Sequence, residues 1–131
     1  MRWINMLLLA TLASLVPAAP AAAQMQGTYR LTQLEGQALP APSPDEDNVT
    51  VHAAALILAE DGRYTFQLSA SGAAQASPED HQATGTYRVE GDTLFLEMDD
   101  TDEPIPLTFL LEDGRLTMTV PAGYTYTFQR Q

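Results

Sequence analysis

From Gly27 to the end of the chain, apolar residues recur at every second position. Over 63–69, Tyr64, Phe66 and Leu68 alternate with Arg63, Thr65, Gln67 and Ser69. Over 115–120, Leu116, Met118 and Val120 alternate with Arg115, Thr117 and Thr119. The chain closes on Tyr124, Tyr126 and Phe128, interleaved with Thr125, Thr127 and Gln129. Alternation of this kind places one set of side chains on one face of an extended strand, so each run reads as a half-buried β-strand. The abundance of Thr, Tyr, Phe and Val supports that reading.

Turn chemistry separates the runs. Glu60-Asp61-Gly62 and Glu112-Asp113-Gly114 each lead into an Arg and a new alternating run, and Glu90-Gly91-Asp92 and Pro121-Ala122-Gly123 divide two further pairs. Gly and Asp tolerate the positive φ that tight hairpins demand. The pattern predicts eight strands, at 27–34, 49–58, 63–69, 84–90, 93–98, 105–111, 115–120 and 124–130. The three alanines at 53–55 would also suit a helix. Residues 36–48 and 70–83 read as long loops and 99–104 as a shorter acidic one. Short connections make neighbouring strands antiparallel hairpins. The predicted fold is all-β: an eight-stranded antiparallel up-and-down barrel, which leaves no exposed sheet edge. Gly27-Thr28-Tyr29-Arg30 returns as Gly85-Thr86-Tyr87-Arg88, an echo that reads as repeated strand punctuation rather than duplicated halves.

The predicted inward set comprises Tyr29, Leu31, Leu56, Leu58, Tyr64, Phe66, Leu68, Tyr87, Val89, Leu94, Leu96 and Met98, followed by Ile105, Leu107, Phe109, Leu111, Leu116, Met118, Val120, Tyr124, Tyr126 and Phe128. All five tyrosines fall in it. Arg30, Arg63, Arg88 and Arg115 fall on the polar phase or at turns, and no arginine is assigned to the inward set. An eight-stranded barrel encloses just enough space for packed side chains or one small ligand. A buried carboxylate without a cation is costly, so a deeply bound anion is disfavoured and a neutral apolar ligand is the better match. The candidate binding residues are Tyr29, Tyr64, Phe66, Tyr87, Met98, Phe109, Met118, Tyr124 and Tyr126, with tyrosine hydroxyls as polar handles.

The first 23 residues follow a different pattern. Arg2 precedes an apolar run of 11 residues from Met6 to Val16, then Pro17, Pro20 and Ala21-Ala22-Ala23. That order is the one found in a secretory signal peptide, with cleavage near Ala23. The run is too short for a ~30 Å hydrocarbon core. The expected division is a signal at 1–23 and one barrel domain at 24–131, in the periplasm or secreted, with no stable membrane insertion.

Composition narrows the chemistry. The chain has 131 residues, 17 acidic side chains against six basic ones, no Cys and no Lys. That excludes a disulfide scaffold, a thiol nucleophile, Schiff-base chemistry and a P-loop. A net charge of −11 argues against nucleic-acid binding. His52 and His81, the only histidines, are placed in a strand and a loop, and no Gly-x-Ser-x-Gly elbow is present. Asp99-Asp100-Thr101-Asp102-Glu103 could gather calcium by charge, but lacks EF-hand spacing and reads as a solvated loop. No cofactor, metal or catalytic set is expected.

The opening Gly27-Thr28-Tyr29, the Gly36…Leu39-Pro40 turn, the repeated Asp-Gly hairpins and the closing Tyr126-Thr127-Phe128-Gln129-Arg130 together resemble small bacterial lipocalin-like domains. The resemblance spans Gly27 to Arg130. It implies an exported binding barrel. It also implies a closed end in which Arg130 stacks on Tyr29, which stands where the family carries Trp. The leading expectation is a monomeric, non-catalytic binding module for a small neutral apolar ligand or an envelope protein. The alternative is a protein-interaction or protease-inhibitor domain with a packed interior, acting through loops 36–48 and 70–83.

Overall fold

The structure, a computed structural model, describes residues 20–72 and 77–131. Most of the expected signal segment lies outside the described residues. A short helix, α1 (Pro20–Met25), leads into the strands and runs through Ala23. No helix among the described residues is long and apolar enough to cross a membrane.

Ten strands follow: β1 (Gly27–Leu34), β2 (Gln37–Ala38), β3 (Ala41–Pro42), β4 (Thr50–Leu58), β5 (Arg63–Ser71), β6 (Glu79–Glu90), β7 (Thr93–Met98), β8 (Ile105–Glu112), β9 (Arg115–Thr119) and β10 (Thr125–Arg130). Eight of them form the wall. β4 through β10 run in order as antiparallel neighbours, and β1 pairs with both β10 and β4. That double pairing closes the sheet into a barrel. β2 and β3 are two-residue additions beside β1 and β4. The Glu-Asp-Gly turns behave alike, with Gly62 at φ 85° and Gly114 at φ 79°, where a side chain would be strained.

The alternation explains most of the core. Tyr29, Leu56, Leu94, Leu116 and Phe128 are fully buried, with Leu58 and Leu107 beside them. Two β-bulges alter the phase. A bulge between Leu31 and Gln33 turns Leu34 inward, and one between Val51 and Ala53 puts both Val51 and Ala54 inside. A bulge adds one residue to one strand, which reverses the alternation beyond it. The three alanines at 53–55 therefore belong to a strand.

Several expectations need correction. Ile105 is 41% exposed, because the β7–β8 ladder ends at the Leu96–Ile105 pair and nothing covers it. Tyr124 lies in the turn before β10, half-buried and outside the core cluster. Residues 70–83 are not one long loop, since β5 reaches Ser71 and β6 starts at Glu79, paired from Arg63–Thr86 to Ala70–Glu79. His81 therefore lies in a strand opposite Leu68. Hairpin hydrogen bonds carry this arm past the point where the apolar pattern fades. Segment 36–48 contains β2 and β3, with a cis Leu39-Pro40 bond between them.

Arg130 is the other correction. It pairs with Tyr29 across the β1–β10 ladder and so shares the inward phase, at one end of the barrel. Arg30, Arg63, Arg88 and Arg115 are exposed.

Candidate functional site

The barrel has a sealed end and an open end. At the sealed end the start of β1 meets the end of β10. The Tyr29 hydroxyl donates to the Met25 carbonyl at 2.7 Å, and Met25 itself is 1% exposed. The Arg130 guanidinium lies 5.1 Å from the Tyr29 ring centre, donates to the Tyr29 hydroxyl and to the Gln24 carbonyl, and has its Nε buried without a partner. Gly27 adopts φ 140°, where a side chain would be strained, and the Arg130 side chain lies against it, 3.5 Å from where a Cβ would sit. Tyr87, lower on the β6 wall, donates to the Ala59 carbonyl at 2.7 Å. The hydroxyls of Tyr29 and Tyr87 thus close the barrel by bonding backbone carbonyls, and neither lines the open cavity.

At the opposite end a cavity of about 430 Å³ opens among β1, β4, β5, β10 and the loop after β3. Its wall carries Leu31, Val51, Phe66, Leu68, Ala70 and Tyr126. Its rim carries Ser43, Pro44, Asp45, Glu46, Glu79 and His81. Phe66, Leu68 and Tyr126 pack against the core cluster yet are only partly buried, so among the described residues the inward face here is not fully covered. Burial raises the Tyr126 hydroxyl pKa above its ordinary value, and the charge of Asp45 adds to that rise. The Tyr126 and Phe128 rings stack at 6.5 Å, which holds Tyr126 against the barrel wall.

Of the nine binding residues expected from the sequence, the cavity gathers Phe66 and Tyr126. Tyr29, Tyr64 and Met118 are core. The Tyr64 ring crosses Gly85, where a Cβ would meet it at 2.8 Å and the Glu97 carbonyl at 2.0 Å. Burial, then Asp99 and Asp100, raises the Tyr64 pKa, and burial does the same for Tyr87. Met98 and Phe109 pack against the core from other strands, and Tyr124 lies outside it. The sequence reading missed His81, Glu79 and the acidic loop as one rim. The phase of Tyr87 and Val89, carried back along β6, would have placed His81 on the inward side.

A larger hollow of about 590 Å³ lies on the outer wall, bordered by Arg30, Gln67, Asp80 and Gln82 over Ala53 and Ala55. It is a saddle above small side chains, and it lacks the apolar wall of the mouth. His52 is occupied, with its Nε2 2.8 Å from Ser71 Oγ. Asp99 is held by Arg63 in a two-pronged pair at 2.9 and 2.8 Å and by Thr84 at 2.8 Å. Arg63 and Thr84 hold its carboxyl below the usual range. Among the described residues no three His, Asp or Glu converge to hold a metal ion.

No protein-family model matches the chain, and no curated protein matches its sequence. Solved structures similar to it in outline include the following two. One is a variant of the fluorescent protein UnaG, 12% identical with a TM-score of 0.40, over 82% of this chain and 96% of that one. The other is fatty-acid-binding protein 1 of Echinococcus granulosus, 13% identical with a TM-score of 0.38, over 81% and 96%. The closed eight-stranded antiparallel barrel is established independently by its own strand pairing.

Proposed function

We propose that this protein is a non-catalytic binding barrel that holds a small apolar ligand, neutral along the part it buries, in the open end. The observation that supports this reading most is the asymmetry of the interior. One end is filled by Met25, Tyr29 and Phe128, while the other leaves Phe66, Leu68 and Tyr126 facing a cavity. Apolar side chains left only partly buried on a concave wall are favourable ground for an apolar ligand, because its binding removes their remaining surface from water. The Tyr126 hydroxyl supplies a polar handle there. Export to the periplasm or beyond is part of the same proposal, supported by Arg2, the Met6–Val16 run and Ala21-Ala22-Ala23.

The test is native mass spectrometry of detergent-free protein, together with titration by a neutral apolar dye such as Nile red. The expected result is saturable one-to-one dye binding, weakened about tenfold by Tyr126→Ala. An apoprotein mass together with no saturable dye binding would reject the proposal. That outcome would favour a domain acting through its surfaces. The β5–β6 hairpin, with Glu79, Asp80, His81 and Gln82 exposed, is the feature best placed for that role.

A further inference from the structure

We infer that the mouth selects a cationic amphiphile: an apolar chain in the cavity with an amine or quaternary ammonium group at the rim. This inference rests on the binding reading above and names its ligand class.

The cavity and the charge around it are separate observations. The apolar wall runs from Leu31 and Val51 to Phe66, Leu68 and Tyr126. The carboxylates of Asp45, Glu46 and Glu79 stand on its border, contributed by two different parts of the chain. Asp45 and Glu46 come from the loop after β3, and Glu79 from the start of β6. Among the described residues no arginine lines this cavity, and the chain has no lysine. The basic side chain on its border is the His81 imidazole, and three of the arginines are engaged elsewhere. Arg63 pairs with Asp99, Arg88 with Glu90, and Arg130 with the sealed end. Arg130 is four positions along β10 from Tyr126, roughly 13 Å of extended strand.

The field of the rim reaches into the cavity. After burial, Asp45 is the largest influence holding the Tyr126 hydroxyl in its neutral form, and Glu35 adds to it. An anionic headgroup entering here would meet the same repulsion. A cationic one would be attracted without leaving water, since Asp45 and Glu46 are exposed. Placing the charge at a wet rim avoids the cost of desolvating an ion inside the barrel. Asp45 is also steadied, because its Oδ1 accepts from Ser43 Oγ at 2.7 Å.

The experiment is displacement of bound Nile red by three ligands of equal chain length: dodecylamine, dodecanol and dodecanoate. The expected order at low salt is amine, alcohol, carboxylate, with roughly tenfold steps. High salt should shrink the amine's advantage over the alcohol. The double variant Asp45→Asn/Glu46→Gln should bring the amine's affinity close to that of the alcohol measured on the same variant. Its fold is checked by circular dichroism. Dodecanoate binding as tightly as dodecylamine would overturn the inference, as would an amine preference that survives both salt and the double variant. If the alcohol binds and the amine gains nothing, only this inference fails. If neither dye nor any of the three binds, the binding reading fails with it.

Discussion

The two ends of the barrel are built from the same residue types, and they differ in what covers them. At the sealed end Tyr29 is fully buried and its hydroxyl is bonded to a backbone carbonyl. At the open end Tyr126 occupies an equivalent inward position, only partly buried beside a cavity. The sealed end has α1 and the Arg130 side chain closing over it, and the Gln131 N–H donates to the Thr28 carbonyl beside them. Among the described residues, the cavity at the open end is bordered by the loop carrying Asp45 and Glu46 and by the β5–β6 hairpin. An aromatic side chain contributes to stability through the water it excludes. Where neighbours complete that exclusion the residue is core, and where they do not the surface is left for a ligand.

Exchanging phenylalanines between the ends gives the largest contrast. Phe128→Ala should destabilise the protein by about 3–5 kcal/mol, because it empties a fully buried site. Phe66→Ala should cost about 1 kcal/mol, since the ring is only half-buried and its removal enlarges an existing cavity. Dye affinity should show the reverse ranking, with Phe66→Ala weakening binding about tenfold. Urea denaturation and Nile red titration of the two variants check both halves. Equal destabilisation by the two would remove the distinction between the ends.

Tyr29→Phe sharpens the account of the seal. It leaves the Met25 carbonyl and the Arg130 guanidinium each short of one partner. A loss of about 1–2 kcal/mol is expected, with thermal unfolding as the measure. Tyr126→Phe, at a residue that lines the cavity, should shift the melting temperature far less.

A smaller effect appears at alkaline pH. Tyr64, Tyr87 and Tyr126 each have a raised pKa in the folded protein, chiefly through burial. The unfolded chain then loses those protons first, so their contribution is fully present below the ordinary tyrosine value of about 10 and is lost as pH rises beyond it. Stability should therefore fall above pH ~10, and Tyr126→Phe should flatten that fall. Ultraviolet difference titration would detect the late-ionising phenols. Three tyrosines titrating together at the free value would contradict the burial described here.

The smallest effect is expected at Asp99. Its carboxyl is held low by Arg63 and Thr84, so any stabilisation is present above the unfolded aspartate value and is lost as pH falls through the folded one. Both partners are half-exposed, and solvent screens such pairs. Asp99→Asn should leave the melting temperature at neutral pH nearly unchanged. In the native protein, NMR should show this carboxyl titrating below free aspartate.

The sequence by itself determined the strand periodicity, the Asp-Gly turns and, through them, the antiparallel order of the wall. These are local properties, written in every second residue and in the backbone freedom of a few glycines. It also showed that no lysine or cysteine chemistry was available. What it could not convey was which inward residues would be covered. Tyr29 and Tyr126 look identical in the pattern, and only the closure of β1 onto both β4 and β10 decides that one is sealed and the other open. The bulges at Leu31–Gln33 and Val51–Ala53 were invisible for a related reason: a phase change is imposed by the partner strand's register and leaves no local mark. The rim was hidden most completely. Asp45, Glu46, Glu79 and His81 are distant in sequence, and they become one electrostatic boundary because the barrel brings a loop and a strand end to the same opening.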